Sequence, residues 1–263
     1  MKNLWLMGGF GNVLFQILAF NVIRNKGYKD IFYVSILTEK NLLTKLIRWR
    51  VHQRLYDDLI DKYQIKKVNL LCAVFALFFG FLSKIFKFYS PFSTFYIRDR
   101  TLDTENLSTN IFGYFQEKDF LATHMSEIHS LCLFIKEKYT LHVTYDIVVH
   151  YRKGDSDWAI LYKEYYESVK QLLKKETKQI CVVTDSYDDA KKFFSDIENI
   201  EIMNSRNAID DFRIMVSSRK LYCAPSTFSW WAAHTLDENS EIIAPKFLEE
   251  DLGMYVMGKY KMI

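Results

Sequence analysis

The sequence predicts an α/β protein built on parallel β-sheet, and three observations carry that prediction. From residue 146 onward, short apolar runs alternate with amphipathic segments of helical period, the pattern of strands covered by helices on both faces. Polar and charged side chains cluster directly after the apolar runs, which is where such sheets bind ligands. The chain is 263 residues long, enough for roughly two domains that each bury a core.

At the N-terminus, "LWLMGGFGNVLFQ" (residues 4–16) reads as a strand over 4–7, a glycine turn and a helix over 12–26, followed by a strand over 31–36. Gly8, Gly9 and Gly11 either let the chain turn tightly or leave room for a ligand to reach the backbone. Long basic and apolar segments without a clear repeat follow, up to residue 144. Beyond them the strands fall at 146–150, 179–184, 200–203, 220–224 and 241–244, with helices at 163–175, 187–194, 208–217 and 227–236. The expected organisation is an N-terminal domain over 1–144, a C-terminal domain over 145–250 and a tail over 251–263.

Composition excludes several classes. A hydrophobic share of 49% is too high for a disordered chain, and a formal charge of +3 is too small for a nucleic-acid binder. Cys72, Cys132, Cys181 and Cys223 form no C-x-x-C pair and follow no secretory signal, so reduced thiols in a cytoplasmic setting are expected. Charge is uneven: residues 40–87 hold ten Lys or Arg against three Asp. Within that stretch lies "LLCAVFALFFGFL", residues 70–82, bracketed by Lys66, Lys67, Lys84 and Lys87. It falls short of the about 20 apolar residues that a spanning helix needs. Two readings remain, a helix buried in the core or one lying in a membrane interface.

The strand ends hold the chemistry. "IVVHYRKGDSD" places His150, Arg152, Lys153 and Asp155 after one buried strand, "VVTDS" places Thr184 and Asp185 after the next, and "YCAPSTFSWW" puts Ser226, Thr227 and Ser229 at a helix start. Arginine offers a planar donor fork to phosphate, and a Ser/Thr-rich helix start offers hydroxyls and unpaired N–H groups to the same anion. Together they describe a pocket for a nucleotide diphosphate. Each alone is also a common helix cap.

The set "GGFGNVLFQ", "GYFQEKDF" (113–120), "HYRKGD" (150–155), "VVTDS" and "STFSWWAA" (226–233) resembles the α-1,2-fucosyltransferases of glycosyltransferase family 11 across almost the whole chain. The usual motifs there read GGLGNQMFQ, GYWQ, HxRRGD and STFSWW, so Val13 and Lys153 are departures. The resemblance implies a glycosyltransferase-B type fold of two Rossmann-like domains facing a cleft, GDP-fucose as donor, no cofactor and no metal. It implies a galactose-type acceptor on a bacterial surface oligosaccharide, reached at the cytoplasmic face of the inner membrane.

In that frame Gly9, Gly11 and Asn12 face the bound sugar or its phosphate, although Asn12 could equally cap the helix. Arg152 neutralises the leaving β-phosphate, Ser226, Thr227 and Ser229 support the diphosphate, and Lys153 keeps a charge without the bidentate fork. His150 and Asp185 hold the guanine. Asp155 is the candidate base for the acceptor hydroxyl, or else it pairs with Arg152 or Lys153 to hold the loop. Two rival readings are a metal-dependent transferase using the D-x-D pair Asp155 and Asp157, and a nucleotide-sugar-binding protein without catalysis.

Overall fold

The computed structural model describes residues 2–35, 45, 56–68, 75, 78, 93–96, 102, 104, 107, 110–153, 159–204, 207–246 and 260–263. The chain is α/β and divides into two compact units, the first running to His129 and the second starting at Ser130. Each unit has its own parallel sheet.

In the first unit, β1 (Lys2–Trp5) pairs with β2 (Ile31–Val34) on one side and β5 (Asn110–Gly113) on the other. The edges are β3 (Lys66–Lys67) beside β2 and β4 (Ser93–Tyr96) beside β5, giving the order β3-β2-β1-β5-β4. The glycine turn leads into α1 (Phe10–Asn25), whose run from Val13 to Ile23 is buried on every side, as a helix apolar all round must be. This helix starts two residues before the predicted position because extended Gly9 is its N-cap. Asn12 therefore lies in the first turn and does not cap. Among the described residues, α2 (Asp57–Tyr63) and α3 (Lys118–Thr123) also belong to this unit, the latter capped by Glu117, whose carboxylate accepts the Phe120 N–H at 2.8 Å.

A helix α4 (Met125–Tyr139) carries the division between the units. The second unit then alternates β6 (Tyr145–Tyr151), α5 (Ala159–Leu173), β7 (Ile180–Thr184), α6 (Tyr187–Phe193), β8 (Ile200–Ile202), α7 (Ala208–Val216), β9 (Ser218–Tyr222), α8 (Thr227–Thr235) and β10 (Glu241–Ala244). This alternation follows the predicted one within about two residues at most boundaries. Residues 260–262, placed by the sequence in the tail, instead form β11 (Tyr260–Met262) and extend the sheet beside β10. The order is β11-β10-β9-β6-β7-β8, all parallel. β6 is central, and its Ile147, Val148 and Val149 are fully buried, the continuous apolar run typical of a strand covered on both faces.

The connectivity fixes where ligands can sit. In the second sheet the chain builds outward from β6 through β7 and β8, then returns to lay β9, β10 and β11 on the other side. The reversal leaves a crevice beyond the carboxyl ends of β6 and β9, since their following segments leave in opposite directions. In the first sheet the chain builds outward from β1 through β2 and β3, then lays β4 at the far edge before β5 fills the place beside β1.

Cys132, Cys181 and Cys223 are buried; burial raises the Cys181 thiol to about 12 and that of Cys223 further, so the latter two stay protonated. The apolar stretch 70–82 lies outside the described residues except for Phe75 and Phe78, which are helical and 62% and 56% exposed. Among the described residues no helix is long and apolar enough to cross a membrane.

Candidate functional site

The two clusters predicted from the sequence meet at the switch point of the second sheet. His150, near the end of β6, and Ser229, in the first turn of α8, are joined by a hydrogen bond between the imidazole Nδ1 and the hydroxyl. Ser226 is the N-cap of α8 and its Oγ accepts the Ser229 N–H at 3.1 Å, while Ser229 Oγ accepts the Ala224 N–H at 3.1 Å. Thr227 is the first residue of the helix. With the Ala224 N–H on one lone pair, the Ser229 hydroxyl can still donate its proton to His150 Nδ1, which pairs with the neutral tautomer protonated at Nε2.

Burial, and secondarily the charge of Arg152, lowers the His150 pKa to about 3, so the ring is neutral at ordinary pH. The sign for stability follows from linkage. The unfolded chain takes up this proton as pH falls through about 6.5, whereas the folded chain resists until about 3. Acidification across that window therefore destabilises the fold. His150→Gln is expected to flatten the response: between pH 6 and 4 the wild type should lose roughly 2 kcal/mol more than the variant. Urea unfolding at the two pH values measures this, and parallel losses in both proteins would disprove it.

The residues after His150 are held by partners that sequence reasoning did not single out. Tyr166 of α5 donates its hydroxyl proton to the His150 carbonyl at 3.1 Å and accepts the Arg152 N–H at 3.0 Å, so one side chain fixes the backbone on both sides of Tyr151. Asp185, after β7, accepts the Lys153 N–H at 3.0 Å. Lys153 Nζ lies 2.6 Å from Asp189, which also accepts from the Tyr151 hydroxyl at 3.0 Å. Burial raises the Asp189 carboxyl, but its bonds to Lys153 and Tyr151 and the Lys153 charge outweigh that and hold it below the usual range. The charge of Lys153 is thus engaged by a carboxylate of its own unit. A cavity of about 240 Å³ opens beside Arg152 and Lys153, walled by Tyr162, Tyr166 and Phe193. Asp155 and Asp157 lie outside the described residues; among those described, no group of His, Cys, Asp or Glu is arranged to hold a metal.

The glycine turn of the first unit joins the end of β1 to α1. Gly8 has φ +81°, a backbone conformation that favours glycine, and a Cβ there would come 2.4 Å from Asn12 Nδ2 and displace that amide. Gly9 caps α1 and Gly11 is buried in its first turn. Asn12 Oδ1 accepts from Gln116 Nε2 at 3.0 Å, a contact between the ends of β1 and β5. Phe115, just before Gln116, is fully buried at φ +53°, a left-handed conformation that a phenylalanine rarely adopts. Gln16, fully buried, accepts the Met7 N–H at 3.0 Å and donates to the carbonyls of Met7 and Gly113 at 3.2 and 3.0 Å. In the sequence it is the last residue of the GGFGNVLFQ motif and a polar residue within an apolar helix.

No family model and no curated protein matches the chain significantly. Among solved structures, similarity is found to E. coli heptosyltransferase WaaC with ADP, at 10% identity and a TM-score of 0.49, covering 100% of this chain and 92% of that one. The fucosyltransferase NodZ from Bradyrhizobium is similar at 11% identity and a TM-score of 0.42 over 89% of this chain and 92% of that one. The NodZ α-1,6-fucosyltransferase soaked with GDP-fucose gives 12% identity and 0.40 over the same shares. These neighbours are glycosyltransferases by name.

Proposed function

We propose that the chain is an inverting, metal-independent glycosyltransferase of the B type that moves fucose from GDP-fucose to the 2-hydroxyl of a galactose-type residue. The observation that carries the reading is the His150–Ser229 hydrogen bond, which brings the H-x-R segment and the hydroxyl-rich helix start to one switch point. The diphosphate sits at the start of α8, where Ser226 and Thr227 and the helix N–H groups meet it. Arg152 stabilises the negative charge that grows on the β-phosphate as the C1–O bond breaks. His150 and Asp185 hold the guanine, and Asp155 takes the acceptor proton as the hydroxyl attacks C1 from the opposite face.

The acceptor belongs to a lipid-linked surface oligosaccharide, and the stretch from residue 70 meets the membrane face, in keeping with exposed Phe75 and Phe78. Co-sedimentation with anionic vesicles at low salt tests that contact, and a protein that stays in the supernatant lacks it. The activity is tested by incubating the protein with GDP-fucose and a panel of β-galactosides. Release of GDP, a 2-linked product by NMR and unchanged rates in EDTA are expected. Binding without turnover would favour a nucleotide-sugar-binding protein, and inhibition by EDTA would favour the metal-dependent reading.

A further inference from the structure

We propose that Tyr166 is a positioning residue for the reaction: its hydroxyl fixes the end of β6 so that Arg152 meets the diphosphate in one orientation, and transfer depends on Tyr166 through Arg152. That Arg152 meets a diphosphate rests on the function proposed above; the hydrogen bonds do not.

The end of β6 outruns β9. The ladder between them stops at Val149 opposite Tyr222, whereas the ladder with β7 runs on to Tyr151 opposite Thr184. The His150 carbonyl and the Arg152 N–H leave an extended chain on the same side, beyond the last β9 partner. Tyr166 of α5 stands in for that partner, donating to the carbonyl at 3.1 Å and accepting from the N–H at 3.0 Å. A hydroxyl performs both tasks with one atom, and packing sets its direction. Tyr166 is buried, with ring centroids 4.7 Å from that of Tyr151 and 5.1 Å from that of Tyr165. Burial also raises the pKa of the phenol, so the proton given to the His150 carbonyl stays in place. The preceding residue does the same for the other strand of the switch point: Tyr165 donates to the Cys223 carbonyl, just after β9, at 2.7 Å. Two adjacent phenols of one helix thereby tie both strand ends that flank the crevice.

Arg152 depends on this tie because it lies one residue past β6. Its charge is felt by His150, whose ring meets Ser229 at the start of α8, so the guanidinium stands within electrostatic reach of the proposed diphosphate site. On the other side of Arg152, Lys153 is held by Asp185 through its N–H and by Asp189 through its ammonium. The Arg152 backbone is thus anchored from both sides, and Tyr166 supplies the anchor that touches Arg152 itself. Displacing a group by about 1 Å from its working position can cost about 10²-fold in rate.

The test is a double-mutant cycle on the full chain with Tyr166→Phe and Arg152→Ala. It is read as GDP release at saturating GDP-fucose and β-galactoside, and as GDP affinity by calorimetry. With Arg152 present, Tyr166→Phe is expected to lower kcat about 30-fold and to weaken GDP about threefold. In the Arg152→Ala background it should change each by less than about twofold, because the residue it positions is gone. A tyrosine that only stabilised the fold would cost the same factor in both backgrounds. That additive result would overturn the inference, as would a Tyr166→Phe protein with wild-type kcat. If the Tm of Tyr166→Phe shows that it does not fold, Tyr166→4-aminophenylalanine keeps a donor for the His150 carbonyl and enters the same cycle with the same two outcomes. A wild type that binds GDP but transfers nothing sinks the transferase reading alone, and the GDP arm of the cycle then decides the role of Tyr166. A wild type without affinity for GDP overturns both.

Discussion

Arg152→Ala is expected to reduce transfer from GDP-fucose by about 10³-fold in kcat and to weaken GDP by about tenfold or more. The effect on kcat exceeds that on binding because the charge on the β-phosphate is greatest as the bond to fucose breaks. An arginine that only held the diphosphate would change both states alike. The contact from this residue's N–H to Tyr166 needs no guanidinium and survives the substitution, and circular dichroism and Tm of the variant check its fold alongside turnover. Arg152→Lys should recover part of the rate by restoring charge without the fork. Turnover of Arg152→Ala within tenfold of wild type, measured by GDP release at saturating donor, would remove Arg152 from the reaction.

The largest expected loss of stability comes from Gln16→Met, a change that keeps length and apolar fit but removes every polar atom. Three backbone groups lose their partners: the N–H and carbonyl of Met7 and the carbonyl of Gly113. Leaving such groups unsatisfied costs about 1 to 3 kcal/mol each when water cannot enter. Met7 is partly exposed, so water recovers part of this. A net loss of about 3 kcal/mol is expected, read as a fall in Tm of roughly 10 °C by calorimetry. A shift below about 2 °C would mean that water replaces the amide fully and that Gln16 is not the tie between β1 and β5.

The second unit was legible because its strands are covered on both faces. β6 and β7 read as plain apolar runs, and the helices between strands carry their own caps, such as Asn207, whose side chain accepts from the N–H groups of Ile209 and Asp210. The first unit was much less so. β5 is the four residues "NIFG" and β3 is two lysines, runs too short for periodicity to single out. They become strands only because β1 and β2 offer edges to pair with. β11 is the same case: "YKM" looks like a polar tail until β10 supplies a partner.

Of the candidate site, the sequence by itself determined the residue types and their place after strands: His150, Arg152 and Lys153 after one, Asp185 after another, and the hydroxyls of Ser226, Thr227 and Ser229 at a helix start. It also marked Gly8, Gly9 and Asn12 as a turn entering a helix, because glycine conformational freedom is a property of the residue itself. What only the tertiary structure decided is which of them meet. The His150–Ser229 bond joins positions 79 residues apart, and Asn12–Gln116 joins positions 104 apart. Neither pair follows from local periodicity, since each depends on which strand lies beside which in the sheet. The partners Tyr166 and Asp189 were hidden for the same reason, and Gln16, though the last residue of the GGFGNVLFQ motif, gave no sign of what it binds: a polar side chain in a helix becomes a clamp only when a neighbouring strand ends within its reach.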